Sequence, residues 1–490
     1  MTLSTAELAL GVIASGFENG RIDELPRFGG YLLFAANGED AACVRELTDA
    51  LRARHAGGTP PIVGIDQEGG RVARLRHGVE PMPSMMALGA AGDLDLAQRA
   101  GEQIAFDLRR AGCTLDFAPV LDLALEPENL VIGTRSFGSD PAAVVTLAER
   151  VARGLLAGGV VPCYKHFPGH GSTHVDSHVA LPVVDADEAT LRARDFAPFA
   201  AVAKNAPAMM AAHVVLRAID PDRPASLSPR VGVSLLRGEF GFGGAYITDC
   251  LEMGAVSGEG KTVGASVTAL RAGADLLLFS HQPELAAQAA RAIEKAVETG
   301  DVPRSRLEEA YAHVTALRKA GQPPLPLNAF PPHPGVGREI ARRAITVIRG
   351  VPHADPTSSC VLDFGGTRPS LRVEAPVLEQ LQLPADPEES DVLHALSFAE
   401  RTRRRPIVLS RRAHVHPAQA NAIERILARF SDALVISMLE PYDIRCFGDA
   451  RHLLAAYGDD AAAIGGLADV IFGGIIAPGK LPVENAIAVG

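Results

Sequence analysis

The sequence predicts an α/β protein, a (β/α)8 TIM-type barrel followed by a smaller α/β sandwich-like domain. Three observations lead there. Short apolar runs alternate with amphipathic segments between residues 8 and 280, the pattern of parallel strands joined by helical crossovers. The runs number eight, as a closed barrel requires. Titratable groups stand at the carboxyl ends of several runs, where a barrel collects its chemistry: Asp66, Lys165 with His166, His213 and Asp249. An open doubly wound sheet is the competing arrangement.

The strand-like runs are 8–14, 30–34, 61–66, 114–120, 160–165, 208–213, 245–249 and 275–280. Each is short and apolar, and helical patterns separate them. The amphipathic segments include 40–54, 94–110, 142–157, 188–203 and 263–272. Gly112 and Gly158-Gly159 close two of them in the manner of helix C-caps. Residues 322–334 read Gln-Pro-Pro-Leu-Pro-Leu-Asn-Ala-Phe-Pro-Pro-His-Pro. That proline density excludes helix and central strand and favours a stiff extended linker. The expected division is therefore a barrel over 1–321, a linker over 322–336 and a second domain over 337–490. Strand-like runs in the second domain are 344–348, 360–364, 406–409 and 433–438, with helical segments at 417–430 and 460–468 and an irregular tail at 473–483. It carries no Gly-x-Gly-x-x-Gly or Walker-type phosphate loop, and nothing in it demands catalysis.

The chain has 490 residues, 47% of them hydrophobic, which is ample for large cores. The formal net charge of -11 argues against a nucleic-acid or anionic-membrane partner, since both require clustered positive charge. The densest basic spots, 401–405 and 411–412, read as a solvated face. The cysteines (Cys43, Cys113, Cys163, Cys250, Cys360 and Cys446) lie far apart, with no Cys-x-x-Cys pair, and read as buried thiols of a reducing compartment. The first residues lack the basic region of a signal peptide, and no apolar run approaches the ~20 residues that span a bilayer. The expectation is a cytoplasmic protein without cofactor; the sequence is silent on oligomeric state.

The most telling stretch runs from 165 to 182. It begins Lys165-His166-Phe167-Pro168-Gly169-His170-Gly171-Ser172-Thr173-His174-Val175-Asp176-Ser177-His178. Four histidines spaced by four would line one helix face and suggest a metal site, but Pro168, Gly169 and Gly171 break any such helix, so no metal is expected. A Ser/His/Asp triad within Asp176-Ser177-His178 fails because immediate neighbours do not line up as nucleophile, base and orienter. An acid/base dyad is the better reading. Asp176 and His178, at i and i+2 of an extended loop, point to the same side. The carboxylate holds one ring nitrogen and leaves the other free to exchange a proton. A loop pinned by ordinary hydrogen bonds is the plainer alternative.

Other residues favour the dyad. Asp249 ends an apolar run, where a helix N-cap or a barrel nucleophile would stand. Asp66 ends another and is followed by Gln67-Glu68-Gly69-Gly70-Arg71-Val72-Ala73-Arg74, in which the glycines allow close backbone approach to a ligand. Arg135 lies in a loop without a charge partner nearby in sequence. Acids, arginines, a lysine and histidines on one barrel face suit a polyhydroxylated substrate held by charged hydrogen bonds.

These blocks together resemble glycoside hydrolase family 3, in its bacterial β-N-acetylhexosaminidase branch. The matching segments are 30–37, Gly64-Ile65-Asp66-Gln67-Glu68-Gly69-Gly70-Arg71-Val72, Pro83-Ser84-Met85-Met86-Ala87-Leu88-Gly89, Phe117-Ala118-Pro119-Val120-Leu121-Asp122, 132–137, 165–182, Ala212-His213-Val214 and Ile247-Thr248-Asp249. The resemblance implies Asp249 as nucleophile, His178 as acid/base and Asp176 as its partner. It implies Asp66, Arg74, Arg135, Lys165 and His166 as the residues holding a terminal N-acetylglucosamine. It further implies a retaining hydrolase that needs no metal and acts on peptidoglycan fragments. A β-glucosidase, a phosphorylase using phosphate as acceptor, and a sugar-binding protein without catalysis stay open as alternatives. The sequence departs from the family at Ser172, where an acid is usual, and at Cys250, often a second aspartate. Gly479-Lys480-Leu481-Pro482 is similar to the appended domain of two-domain members.

Overall fold

A computed structural model describes residues 3–173, 181–254, 261–366 and 370–486. The larger sheet is all parallel. Its order is Val161–Pro162, Leu115–Asp116, Ile62–Ile65, Gly30–Leu33, Ile13–Ser15, Leu276–Phe279, Ala245–Cys250, Ala208–Ala211, Tyr164–Phe167. The two outermost strands are consecutive in the chain, separated only by Cys163, so the sheet curls into a barrel. One half pairs with Leu115–Asp116 and the other with Ala208–Ala211. Strand order follows chain order around the barrel, as the alternating pattern predicts.

The differences from the sequence reading have local causes. Residues 8–14 are not one strand. A helix occupies Thr5–Gly11 and the strand is Ile13–Ser15. Ser4 and Glu7 form a capping box that starts the helix, with Ser4 Oγ accepting from Glu7 N and Glu7 Oε2 from Ser4 N. The 188–203 segment is two helices, Glu188–Ala193 and Ala197–Val202. Pro198 has no N–H to continue the first, and its ring fits only the opening turn of the second. The 114–120 run is regular strand only over Leu115–Asp116, because Pro119 supplies no donor, and Val120 rejoins the sheet as an isolated bridge to Lys165. The first two barrel strands are joined by a 3₁₀ turn, Asn19–Glu24, rather than an α-helix.

Outside the sheet, the helices Leu94–Ala111 and Pro141–Ala157 pack closely. Methyl groups at Gly101 and Gly154 would strike backbone of the partner helix. The segment after Ala320 holds no regular element until the helix Val336–Ala344, as the prolines dictate.

The second sheet has the order Thr346–Arg349, His452–Ala455, Leu434–Ser437, Arg405–Ser410, Ser359–Phe364, Glu379–Leu383, antiparallel only at the first pair. Two of these strands escaped the sequence reading. Glu379–Leu383 is a polar edge strand whose glutamines look like loop, and His452–Ala455 is only four residues long. The central strands are buried on both faces, as parallel strands are. Ile407, Leu409, Leu434 and Ile436 pack under the helix Ala461–Ile471. Leu362, Val408, Val435 and Leu453 face the other way, into a core continuous with that of the barrel. Polar contacts cross the same seam: Ser84 Oγ donates to Tyr457 O at 2.6 Å, and Arg343 meets Asp93 at 2.7 Å. Among the described residues no helix is long and apolar enough to cross a membrane.

Candidate active site

The carboxyl ends of the barrel strands open on a cavity of about 540 Å³. Asp66, Arg74, Arg135, Lys165, His166 and Asp249 all line it, so the described members of the predicted set come together. Asp176, His178 and His174 lie outside the described residues.

The charged wall is built from a strand end and a hairpin. The strand Ile62–Ile65 delivers Asp66 to the rim. Gln67–Gly69 then pairs antiparallel with Val72–Ala73. The reversal needs Gly69 and Gly70, at φ 100° and 55°, which a side chain adopts only with strain. The turn brings Arg74 Nη2 within 3.3 Å of Asp66 Oδ2. The Gln67 amide, pointing away from the cavity, takes the Arg74 and Leu75 N–H groups and locks that return.

Lys165 rises from the strand Tyr164–Phe167 and is 2% exposed. Its Nζ lies 2.7 Å from Asp66 Oδ1 and 2.6 Å from Glu68 Oε1. Arg135 grips both Glu68 oxygens at 2.8 Å. Burial alone would raise the Glu68 carboxyl. Arg135 and then Lys165 overcome it and hold Glu68 far below the usual carboxylate range. Burial likewise works against the charged Lys165, and Asp66 and Glu68 more than offset it.

A second layer starts from Asp122. Its Oδ2 lies 2.6 Å from His166 Nδ1, and its Oδ1 accepts from His170 N at 2.7 Å. Arg135 Nη2 lies 3.3 Å from His166 Nε2. A guanidinium only donates, so His166 Nε2 accepts and the ring proton sits on Nδ1, facing Asp122. His170 lines the cavity 6.1 Å from His166, ring to ring, and Thr173 Oγ1 lies 2.8 Å from its Nδ1. Burial lowers its pKa to about 4, so its ring is neutral at ordinary pH.

Asp249 comes from the strand Ala245–Cys250 and is partly exposed, with Oδ1 accepting from Cys250 N at 2.7 Å. His213, another strand-end group, is fully buried behind it. Its Nε2 lies 2.9 Å from Cys250 O and its Nδ1 2.6 Å from Ser226 Oγ. Glu252 accepts from the backbone N–H groups of Ser280, His281 and Gln282 at 2.7–2.9 Å. It thereby ties the loop after Asp249 to the loop after the last barrel strand. His281 and Phe34 meet at 5.0 Å there, ring to ring, and with Met253 and Leu278 make a less polar wall.

Asp66, Arg74, Arg135, Lys165, His166 and Asp249 thus form one constellation on a barrel rim. The sequence model of the glycosyl hydrolase family 3 N terminal domain matches residues 21–317. The chain belongs to glycosyl hydrolase family 3.

Its relatives in that family are specific. A beta-hexosaminidase of Chromobacterium violaceum is 40% identical over 267 residues, 53% of this chain and 73% of that protein. The solved structure of a family 3 β-N-acetylglucosaminidase from Paenibacillus sp. str. FPU-7 superposes with a TM-score of 0.91 at 32% identity, covering 100% of both chains. NagZ from Neisseria gonorrhoeae, in complex with N-trifluoroacetyl-D-glucosamine, gives a TM-score of 0.52 at 30% identity, covering 63% of this chain and 98% of that one. This family 3 chain is therefore a glycoside hydrolase, and the Paenibacillus enzyme shares both of its domains.

The two departures from the family pattern also have places. Ser172 Oγ donates to Asp195, so an aspartate from another loop reaches that position. Cys250 Sγ lies 3.7 Å from Glu252 Oε2. Sequence reasoning assigned no role to Glu68, the carboxylate on which Lys165 and Arg135 converge, or to Asp122, which holds His166 and His170. Asp122 carried a usable signal, being a carboxylate a few residues past a strand-like run, like Asp66. Glu68 carried none, because only the folded hairpin brings it under Lys165.

Proposed function

We propose that this family 3 enzyme is a retaining exo-β-N-acetylglucosaminidase. One observation carries the reading: the cavity is small and charged, with the cations Lys165, Arg74 and Arg135 around Asp66 on one side and Asp249 on the rim. Such a pocket binds one terminal sugar by charged hydrogen bonds to its hydroxyls and leaves the aglycone outside. The names of the similar β-hexosaminidase and β-N-acetylglucosaminidase support N-acetylglucosamine as that sugar.

In this reading Asp249 attacks the anomeric carbon and forms a glycosyl ester. His178, oriented by Asp176, protonates the departing oxygen and then takes a proton from the water that breaks the ester. Asp66, Arg74, Arg135, Lys165 and His166 hold the sugar. The natural substrates are cell-wall fragments ending in N-acetylglucosamine, met in the cytoplasm. The six cysteines are free, and although Cys43 is exposed rather than buried as expected, they support a reducing compartment.

Turnover of an aryl β-N-acetylglucosaminide and of the matching β-glucoside tests the proposal. The expected preference in kcat/KM is on the order of 100-fold or more, since a pocket fitted to an acetamido group discriminates against its absence. Asp249→Ala is expected to abolish both reactions while the fold persists. Equal use of the two substrates overturns the sugar assignment, and near-normal activity in Asp249→Ala overturns the nucleophile.

A further inference from the structure

We infer that the second domain is a positioning element of the active site, acting through Glu440 on the turn that carries Arg135. The inference rests on the reading of the barrel cavity as the sugar site.

The barrel segment 122–139 runs between the cavity and the second domain. Its only regular element is the 3₁₀ turn Gly133–Arg135, so its shape is set by what lies on either side. Toward the cavity it presents three site groups. Asp122 holds His166 and His170. Asn129 Nδ2 donates to His170 O at 2.9 Å. Arg135 grips Glu68. Its other side is gripped by the second domain. Tyr442 OH donates to Ala124 O at 3.4 Å, His414 Nε2 donates to Pro127 O at 3.1 Å, and Ser139 N donates to Pro482 O at 3.0 Å.

Glu440 is the contact nearest the chemistry. It is 1% exposed, and Arg412 of its own domain fixes it with Nε and Nη2 each 3.1 Å from a carboxylate oxygen. Gly133 packs so tightly on it that a methyl group there would overlap the carboxylate. Arg135 follows two residues later. The charges point the same way. Arg71 donates to Val131 O at 2.7 Å, beside the same turn. Arg412 and Arg135 both repel it, and Glu440 and Glu68 both attract it. Glu440 is thus the counter-charge that lets Arg71 and Arg412 crowd the Arg135 turn. Without it Arg412 loses its hydrogen-bonded carboxylate and Arg71 keeps only Glu68, and the turn is free to move away.

Glu440 does not line the cavity, so its effect is read through Arg135. In Glu440→Gln, KM for the aryl β-N-acetylglucosaminide is expected to rise about tenfold with kcat little changed, within the range for coupled neighbours. In an Arg135→Met background the same substitution is expected to change KM less than about twofold, because the group it positions is gone. A merely structural Glu440 would lower the melting temperature and leave KM of the folded enzyme unchanged. That result, or an equal KM rise in both backgrounds, overturns the inference. Glu440→Asp keeps the charge and withdraws it from Gly133. If Glu440→Gln fails to fold, a raised KM in Glu440→Asp supports the inference and an unchanged KM overturns it. Arg135→Met with wild-type KM overturns the site assignment itself, and the role of Glu440 with it.

Discussion

Lys165→Met probes the charged base of the cavity most directly. Methionine keeps the length and apolar stem of the side chain and removes its three donors. Glu68 loses the ammonium 2.6 Å from its Oε1, but Arg135 still grips both its oxygens at 2.8 Å. The loss falls on Asp66, whose Oδ1 loses the ammonium at 2.7 Å and whose Oδ2 keeps only Arg74 at 3.3 Å. Removing one partner of a buried ion pair costs about 3–5 kcal/mol. The Asp66 side chain is 22% exposed, so cavity water can hydrate the orphaned oxygen and the expected loss is about 3 kcal/mol. The cost depends on pH. Burial raises the Asp66 carboxyl, and Lys165 ahead of Arg74 brings it below the usual range. A depressed carboxylate contributes stability that is present above its ordinary pKa and lost as pH falls through the folded one. The variant lacks that contribution, so its deficit narrows on acidification. Lys165→Met/Asp66→Asn removes both partners and is expected to recover most of the stability without recovering activity. Urea denaturation of the two single variants and the double variant measures the cycle. A Lys165→Met loss below about 1 kcal/mol, or a double-variant loss equal to the sum of the singles, refutes the reasoning.

Two further outcomes are expected. His178→Ala slows glycosides with poor leaving groups more than activated aryl glycosides, which need less protonation; equal losses across a leaving-group series count against an acid/base role. Asp116 is fully buried beneath the cavity, with one oxygen accepting from Gln67 N and the other without a hydrogen-bond partner. Burial pushes it up to about 8. A raised acid contributes stability fully present below its unfolded pKa and lost as pH rises through the folded one. Wild type is therefore expected to lose up to about 3 kcal/mol relative to Asp116→Asn between about pH 6 and pH 8, and parallel stability curves for the two proteins would refute this.

The barrel and the rim residues were legible for a common reason. A parallel barrel reads as short apolar runs between helices, and its chemistry must leave from strand ends, so Asp66, Lys165, His166 and Asp249 advertise themselves. The misreadings were local contests between hydrophobic pattern and backbone chemistry: the Ser4–Glu7 cap won over the apolar run at 8–14, and Pro198 won over the helical pattern at 188–203. The contribution of the second domain to the Arg135 turn was not legible at all. Glu440 stands more than 300 residues from Gly133 in the chain, and nothing in the 132–137 segment points to it.

The histidine-rich stretch shows why sequence spacing alone misleads. His166 and His170 stand four apart, yet no helix joins them. Asp122, from the preceding strand-to-helix loop, joins them instead, through one ring and one backbone N–H. Glu68 plays the same part for Lys165 and Arg135, both of which share its Oε1. Lys165 and Arg135 are therefore coupled through Glu68, while His166 is held by Asp122 and touches Arg135. Single substitutions at Lys165, Arg135 and His166 should then lose overlapping rather than additive amounts of binding. Assigning each loss to a separate contact with the sugar would count Glu68 and Asp122 several times over.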